Sequence, residues 1–156
     1  MELVQASIEQ LSIIKNITIE TIKDIYPHYY PKGAVDFFVS HHNDENISHD
    51  IIDKNVYLLY VNKIAIGTIT IKDNEICRLF VLPQYQRKGY GSILLDFAEN
   101  KILQDYEVCL LDASLPAKSM YLKKGYKEIE NHIIETKLGD YLCYDVMSKN
   151  RKKENL

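Results

Sequence analysis

The sequence predicts a mixed α/β domain whose central, mostly antiparallel sheet is flanked by helices. Three observations predict this fold class. Three consecutive β-rich runs are separated by two-residue turns, helical periodicity occurs on both sides of them, and strands alternate with helices near the C-terminus. The expected element order is β-α-α-β-β-β-α-β-α-β-β. No internal repeat or Ser/Gly-rich linker interrupts the 156 residues, so we expect one domain over residues 1–156.

The N-terminal third is predicted to hold one strand and two helices. An extended segment at residues 3–6 is followed by a helix that begins after Ser7, which is a favourable N-cap. Residues 26–31 contain two prolines and three tyrosines and should form an aromatic loop, because proline restricts itself and the residue before it. We expect the second helix over residues 32–40, with a short amphipathic piece near Ile51.

The middle of the chain is predicted to be an antiparallel meander. Residues 56–61, 64–71 and 75–82 are rich in β-branched and aromatic residues. The two connections, Asn62-Lys63 and Asp73-Asn74, have the length and composition of hairpin turns. We therefore expect three consecutive strands that pair with their neighbours.

The C-terminal half is predicted to alternate helices and strands and then to close with a hairpin. Apolar residues at helical spacing indicate a helix after residue 91, and residues 107–111 form an apolar strand that is buried on both faces. A helix over residues 117–124 should end at the glycine that follows it. Residues 126–135 and 141–147 would form the closing hairpin, whose edge could pair with a second copy in a homodimer.

Composition and charge exclude several classes of protein. The net charge of −3 does not indicate a nucleic-acid partner, and no run approaches the ~18 apolar residues of a membrane span. Residues 1–10 lack the basic lead of a secretion signal, so we expect a cytoplasmic protein. Cys77, Cys109 and Cys143 stand in apolar runs and are expected to be buried thiols. The five histidines show no recurring ligand spacing, so we expect no metal.

A turn with the properties of a phosphate cradle lies between the third meander strand and the next helix. Arg87 and Lys88 precede two glycines, Gly89 and Gly91, at the start of that helix. Helix N-termini present unpaired N–H groups and a partial positive charge, and glycines let a phosphate approach the backbone closely. A pyrophosphate is therefore a natural ligand here.

Three interpretations of this turn compete. A nucleoside-triphosphate P-loop is excluded because Lys88 comes before the glycine instead of after it. A dinucleotide fingerprint would need a third glycine where Leu94 stands, although Asp112 lies roughly 20 residues downstream, where the ribose-binding acid is expected. An ordinary tight strand-to-helix connection would need no ligand at all.

Two motifs resemble those of the GNAT superfamily of N-acetyltransferases. The segment Gln86-x-x-Gly89-x-Gly91 is similar to the (Gln/Arg)-x-x-Gly-x-(Gly/Ala) pattern of that family, and it follows an apolar strand as it does there. Downstream, Ser114-x-x-Ala117-x-x-x-Tyr121-x-x-x-Gly125-Tyr126 resembles Asn-x-x-Ala-x-x-x-Tyr-x-x-x-Gly-Phe. The likeness covers residues 56–147, and the chain departs from the pattern at Ser114 and Tyr126.

The resemblance implies that acetyl-CoA binds where the fourth and fifth strands separate. Its pantetheine would pair with main-chain groups of residues 80–82 like an added strand, with the Val81 N–H on the thioester carbonyl. The residues expected to contact the cofactor are Phe80, Val81, Leu82, Gln86, Arg87, Lys88, Gly89, Tyr90, Gly91, Ser92, Ser114 and Ala117. Because Ser114 is shorter than the family asparagine, one polar contact to the cofactor could be weakened.

The resemblance also suggests catalytic side chains. Tyr121 would act as the general acid for the departing thiolate, or else it is one more packing aromatic of the helix. Glu75 would act as the general base, or else it is an exposed residue of the turn after Asn74 and a water chain removes the proton. Tyr26, Tyr29 and Tyr30 would shape the acceptor pocket, or else serve packing.

The implied activity is transfer of an acetyl group from acetyl-CoA to a primary amine, which we expect to be a small molecule. Two acetyl-CoA-based alternatives remain, namely a peptide or protein amine as the acceptor, and a module that binds acyl-CoA without turnover. A dinucleotide-dependent oxidoreductase is a third alternative, which would bind NAD(P) instead of CoA.

Overall fold

The computed structural model describes residues 1–153. It contains seven strands and five helices of eight or more residues, together with short 3₁₀ turns at Ile8–Gln10, Tyr26–His28 and Pro83–Tyr85. The strands are β1 (Glu2–Gln5), β2 (Val56–Val61), β3 (Ile64–Lys72), β4 (Glu75–Val81), β5 (Val108–Ala113), β6 (Lys127–Glu135) and β7 (Tyr141–Asn150). The helices are α1 (Leu11–Ile25), α2 (Lys32–His41), α3 (Asp44–Ile52), α4 (Tyr90–Asp105) and α5 (Leu115–Lys123).

The seven strands form one mixed sheet in the order β1-β2-β3-β4-β5-β7-β6. The predicted fold class is confirmed, and so is the meander, since β2, β3 and β4 pair antiparallel with their neighbours. The pairing of β4 with β5 is parallel, as expected for two strands joined by a helix. The closing hairpin places β7, and not β6, against β5, so β6 is the edge strand.

The structure contains one helix more than the predicted element order. The amphipathic piece expected near Ile51 is a complete helix, α3, which begins at Asp44 after an N-cap at Asn43. The Asn43 side chain accepts a hydrogen bond of 2.9 Å from the Asn46 N–H, and Asp44 and Glu45 lie in the first turn, where negative charge is favourable. This capping pattern was present in the sequence and indicates the helix.

Helices cover both faces of the sheet and divide the core into two layers. Helix α4 buries Leu94, Leu95 and Ala98 against one face. Helices α1, α2 and α3 bury residues such as Ile14 and Ile47 against the other face. Each fully buried aliphatic side chain stabilises the fold by roughly 1.5–3 kcal/mol.

The expectation of three buried thiols is wrong for one of them. Cys109 is buried and Cys77 is half-buried, but Cys143 is exposed. Successive side chains of a strand point to opposite faces, and its neighbour Leu142 takes the buried position on β7. An apolar run therefore does not bury every residue within it.

Candidate active site

The central sheet opens between β4 and β5. These two strands pair at only two positions, Glu75 with Leu110 and Ile76 with Leu111. A β-bulge follows at once: Ile71 of β3 pairs with Ile76, Thr70 pairs with Arg78, and Cys77 has no opposite residue. Bulges bend a strand and increase its twist, so the rest of β4 turns away from β5. The result is a gap with one unpaired strand edge on the β4 side.

The register of β3 against β4 identifies the backbone groups that face this gap. The Leu82 N–H donates to the Ile66 carbonyl at 2.8 Å, which makes these two residues a hydrogen-bonded pair. Such pairs alternate along antiparallel strands, so the Phe80 N–H also faces β3, whereas the N–H groups of Leu79 and Val81 face the gap. Main-chain pairing with a ligand therefore falls to Leu79 and Val81. Leu79 was missed because the bulge that sets this phase leaves no trace in the sequence.

Contacts of Val81, Phe80 and Gln86 fix the end of β4. The Val81 carbonyl accepts hydrogen bonds from Gln86 Nε2 at 2.9 Å and from Thr21 Oγ1 at 3.3 Å. Gln86 therefore braces the strand end with its side chain. The Phe80 side chain is buried and lines a cleft on the α2 side of the sheet.

The turn that follows β4 has the geometry of an anion site. Arg87 and Gly89 have φ angles of 61° and 87°, both left-handed, and Gly89 is the N-cap of α4. The Ile93 N–H is bonded to the Gly89 carbonyl at 3.1 Å, so the N–H groups of residues 90–92 precede the first intrahelical bond. A Cβ placed on Gly89 would meet nothing within 4 Å. The space in front of these N–H groups is therefore open to a ligand.

Side chains around this turn add charge and connect it to α5. Arg87 and Lys88 are exposed, while Tyr90 and Ser92 are half-buried. The Lys88 ammonium lies 5.7 Å from the centre of the Tyr85 ring. A Cβ placed on Gly91 would lie 3.3 Å from Met120 Sδ of α5, so a side chain at residue 91 would require the Met120 side chain to shift. The predicted phosphate-binding residues thus share one surface.

Helix α5 forms the other side of the gap. Ser114 is its N-cap residue and makes no capping bond with its side chain, and Ala117 follows in the first turn. Tyr121 is 5% exposed, packs edge-to-face on Tyr126 at 5.8 Å between ring centres, and lines the same cleft as Ser114. Its hydroxyl group makes no hydrogen bond to another residue of the described range 1–153. Burial raises the pKa of Tyr121, so the phenol stays protonated at neutral pH.

The cleft itself is a cavity of about 220 Å³ next to the gap. The sheet contributes β4 and β5 to its wall, and α2 covers it from one side. Besides Ser114 and Tyr121, the wall includes Phe37, Phe38, His41, His42, Asp112 and Tyr144. The α2 residues and Tyr144 were not among the predicted site residues, because they carry no motif and come together only through the fold.

Glu75 lies at the closed end of the gap, where β4 still pairs with β5. It does not line the cavity, and it stands four residues before Leu79, which is roughly 13 Å along a strand. Burial is the main reason that the pKa of Glu75 is raised, and the nearby Asp112 carboxylate raises it further. Glu75 is therefore separated from the cavity, although its neighbour Asp112 lines the wall.

The three tyrosines predicted to shape an acceptor pocket occupy different environments. Tyr26 is buried and lines the cavity, and burial raises its pKa. The Tyr30 hydroxyl accepts a hydrogen bond of 2.7 Å from the Leu115 N–H, so this side chain caps α5. Tyr29 is 51% exposed and lies outside the cavity wall. Of the three tyrosines, only Tyr26 lines the cavity.

Residues 1–153 contain no group of three or more His, Cys, Asp or Glu side chains with the geometry of a metal site. In the same range, no helix has the length and apolar composition needed to span a membrane.

Comparison with known proteins identifies the family. The sequence model of the acetyltransferase (GNAT) domain family matches residues 25–139 of this chain. The fold is shared with a GCN5-related N-acetyltransferase from Rhodopseudomonas palustris, which has a TM-score of 0.87 and 18% identity and covers 96% of this chain and 95% of its own. The paiA N-acetyltransferase from Thermoplasma acidophilum, solved in complex with coenzyme A, has a TM-score of 0.75 and 22% identity over 96% of this chain and 98% of its own. The Salmonella typhimurium protein yncA, solved with its cofactor acetyl-CoA, has a TM-score of 0.73 and 14% identity over 100% of this chain and 96% of its own.

Proposed function

This chain belongs to the GNAT acetyltransferase family, and we propose that it transfers the acetyl group of acetyl-CoA to the primary amine of a small molecule. One observation carries the proposal. The unpaired edge of β4 is followed, after the turn of residues 82–89, by the open N-terminus of α4, and Tyr121 lines the cavity next to the gap. The arrangement suits a long ligand with amide groups at one end and a diphosphate at the other.

The cofactor-binding residues divide into two groups in this proposal. The gap-facing backbone groups of Leu79 and the N–H of Val81 pair with the pantetheine amides, as a strand would, whereas the Val81 carbonyl is already bonded to Gln86 and Thr21. The first-turn N–H groups of α4 bind the pyrophosphate, and Arg87 and Lys88 add long-range attraction from exposed positions. Backbone groups do most of the binding here, so local backbone geometry matters more than any one basic side chain.

Acetyl-CoA supplies an activated acetyl group as a thioester, and the residues of this chain promote its transfer. The N–H of Val81 or Leu79 donates to the thioester carbonyl oxygen, on which negative charge develops. Tyr121 donates a hydrogen bond or a proton to the departing thiolate. A thiol has a pKa of ~8.5 and an ordinary phenol ~10, and burial raises the pKa of Tyr121 further, so complete transfer of the proton is uphill and the hydrogen bond provides the stabilisation. Glu75, whose pKa is raised, accepts the proton of the amine through water.

The cavity supports a small acceptor in preference to a protein. Its volume of about 220 Å³ is lined by aromatic side chains of α2 and by β4 and β5. A peptide amine is the second candidate, and it would have to enter as a single terminal residue. The homodimer stays a prediction that sedimentation velocity can test. The edge strand β6 exposes Ile129 and Ile133, which a second copy could cover.

The decisive experiment measures release of free thiol from acetyl-CoA with a panel of amines and short peptides. We expect turnover with small primary amines, and tight binding of CoA but not of NAD(P) in a thermal-shift assay. Tight CoA binding with no turnover across the panel would instead identify an acyl-CoA-binding module. Turnover restricted to peptides would replace the small-molecule acceptor by the second candidate.

A further inference from the structure

His42 combines burial with a position in the wall of the cavity. It lies at the C-terminal end of α2 and is 5% exposed, yet it lines the same cleft as Ser114 and Tyr121. The edge of its ring packs against Phe80 at 5.4 Å and against His41 at 5.1 Å between ring centres. These two aromatic rings and a hydrogen bond from Arg78 hold the imidazole in one orientation.

Arg78 determines which nitrogen of His42 carries hydrogen. Arg78 Nε donates a hydrogen bond of 3.1 Å to His42 Nδ1. A guanidinium group can only donate, so Nδ1 must be the unprotonated nitrogen and Nε2 must carry the hydrogen of the neutral ring. Burial, and then the positive charge of Arg78, lower the pKa of His42 to about 3, which keeps the ring neutral. Within residues 1–153, no group accepts a hydrogen bond from Nε2.

The surroundings of Arg78 add a positive potential behind this imidazole. Arg78 Nη1 donates to Asp50 Oδ2 at 3.2 Å and to Thr70 Oγ1 at 2.8 Å, and Lys72 Nζ lies 2.6 Å from Asp50 Oδ1. Two cations therefore share the Asp50 carboxylate, so these three residues together carry one positive charge. A donor N–H in front of such a charge favours an oxygen acceptor, and a carboxylate most of all.

We propose that His42 Nε2–H binds a carboxylate or carbonyl oxygen of the acceptor substrate, so that the enzyme prefers amines that also carry such an oxygen. This inference rests on the proposed acetyl transfer and narrows its acceptor to aminocarboxylates and related amides. His42 is then a specificity-determining residue, and Arg78 is the positioning residue that fixes its tautomer. Asp112 of β5 lines the same cavity and gives the amine end of such a substrate a negative neighbour.

Matched acceptors test the inference. The rate of thiol release is measured with 3-aminopropanoate, 4-aminobutanoate and 5-aminopentanoate, each against the unsubstituted alkylamine with the same number of carbons. We expect kcat/KM to be higher for at least one aminocarboxylate than for its alkylamine. His42→Leu should reduce that preference about tenfold, the effect of one lost hydrogen bond. His42→Gln retains a donor N–H and an oxygen that can accept from Arg78, so it should restore most of the preference.

His49→Leu on the exposed side of α3 is the matched control and should leave the preference unchanged. Thermal melting of each variant separates loss of recognition from loss of fold, because recognition changes the ratio between paired acceptors. Side-chain ¹⁵N spectra give a readout without turnover: the Nε2–H tautomer of His42 should be present, and its resonance should move on addition of the preferred aminocarboxylate.

Three results would overturn the inference. They are a wild-type enzyme that does not discriminate between the paired acceptors, an equal loss for both members of each pair in His42→Leu, and an Nδ1–H tautomer. In all three the acetyl transfer itself is still observed. No thiol release with any amine would be a different result, since it overturns the proposed function and this inference with it.

Discussion

Removal of the Tyr121 hydroxyl group tests the catalytic part of the proposed function most directly. The Tyr121→Phe variant keeps the ring, which is 5% exposed and packs on Tyr126. The hydroxyl makes no hydrogen bond within residues 1–153, so no protein group loses a partner. We therefore expect the free energy of unfolding to change by less than about 0.5 kcal/mol, as for substitutions that leave packing and hydrogen bonds intact.

The expected effect on catalysis is much larger. General acid catalysis contributes roughly 10²–10⁴-fold, so kcat should fall by at least about 10²-fold in Tyr121→Phe. Affinity for CoA should stay within about twofold, since the proposed binding contacts are backbone groups of β4 and α4. Because the pKa of Tyr121 is raised, the acid form persists as pH rises, and Tyr121 should produce no limb in the kcat profile below about pH 10.

Thiol release under saturating acetyl-CoA, with CoA affinity from isothermal titration, measures both quantities. Tyr126→Phe is the matched control. It is a neighbouring buried tyrosine whose hydroxyl donates to Cys109 Sγ at 3.3 Å. That variant should lose some stability and keep its kcat. A Tyr121→Phe enzyme with the kcat of the wild type would refute the assignment and leave Tyr121 as a packing residue.

Four further variants test other parts of the structure. Gly33→Ala should lower the free energy of unfolding in urea by about 2 kcal/mol, because the new methyl group meets the Asp140 carboxylate that accepts from the Gly33 N–H at 2.8 Å. Gly91→Val should weaken CoA binding by titration at least tenfold, because a branched side chain in the first turn of α4 crowds Met120 and the proposed phosphate site. Glu75→Gln should lower kcat/KM about 10²-fold and remove the acid-side limb of its pH profile; an unchanged profile assigns that proton to a water chain. The pKa of His42 is about 3 in the folded state and ~6.5 in the unfolded state, so the free energy of unfolding decreases as the pH is lowered below ~6.5. His42→Gln should remove about 1 kcal/mol of the decrease that urea unfolding measures between pH 7.5 and pH 5.5.

The features predicted correctly from the sequence are those that depend on neighbouring residues. The meander follows from two-residue turns, and the tight turn before α4 from two glycines beside two basic residues, whereas binding of phosphate there stays a prediction. These patterns involve residues that are close together in the chain, so the local structure that they favour can be predicted from a single sequence. The family resemblance depends on two motifs of this kind.

The features that could not be predicted depend on distant residues. The bulge at Cys77 determines which N–H groups face the gap. It arises from the pairing of β3 with β4, whose register shifts between Thr70 and Ile71, and not from a local pattern in β4. The hairpin was predicted, but either of its strands could have paired with β5, and the contact of β7 is decided by packing. Arg78 looks like an exposed charge in a strand, yet it is buried between Asp50, Thr70 and His42.

The same distinction explains why the donor was easier to identify than the acceptor. The expected cofactor site is a continuous stretch of chain, the end of β4 and the start of α4, so its chemistry is visible as a motif. The cavity proposed for the acceptor is lined by residues from distant parts of the chain. Its helix α2 is held at the N-terminus by Asp140, 107 residues away from Gly33, and α5 is capped by Tyr30, 85 residues away from Leu115. The first contact positions α2 and the second positions α5, and neither is made by a residue that would bind the acceptor. Acceptor specificity therefore depends on residues that no local pattern connects, and it has to be read from the assembled fold, as the orientation of His42 illustrates.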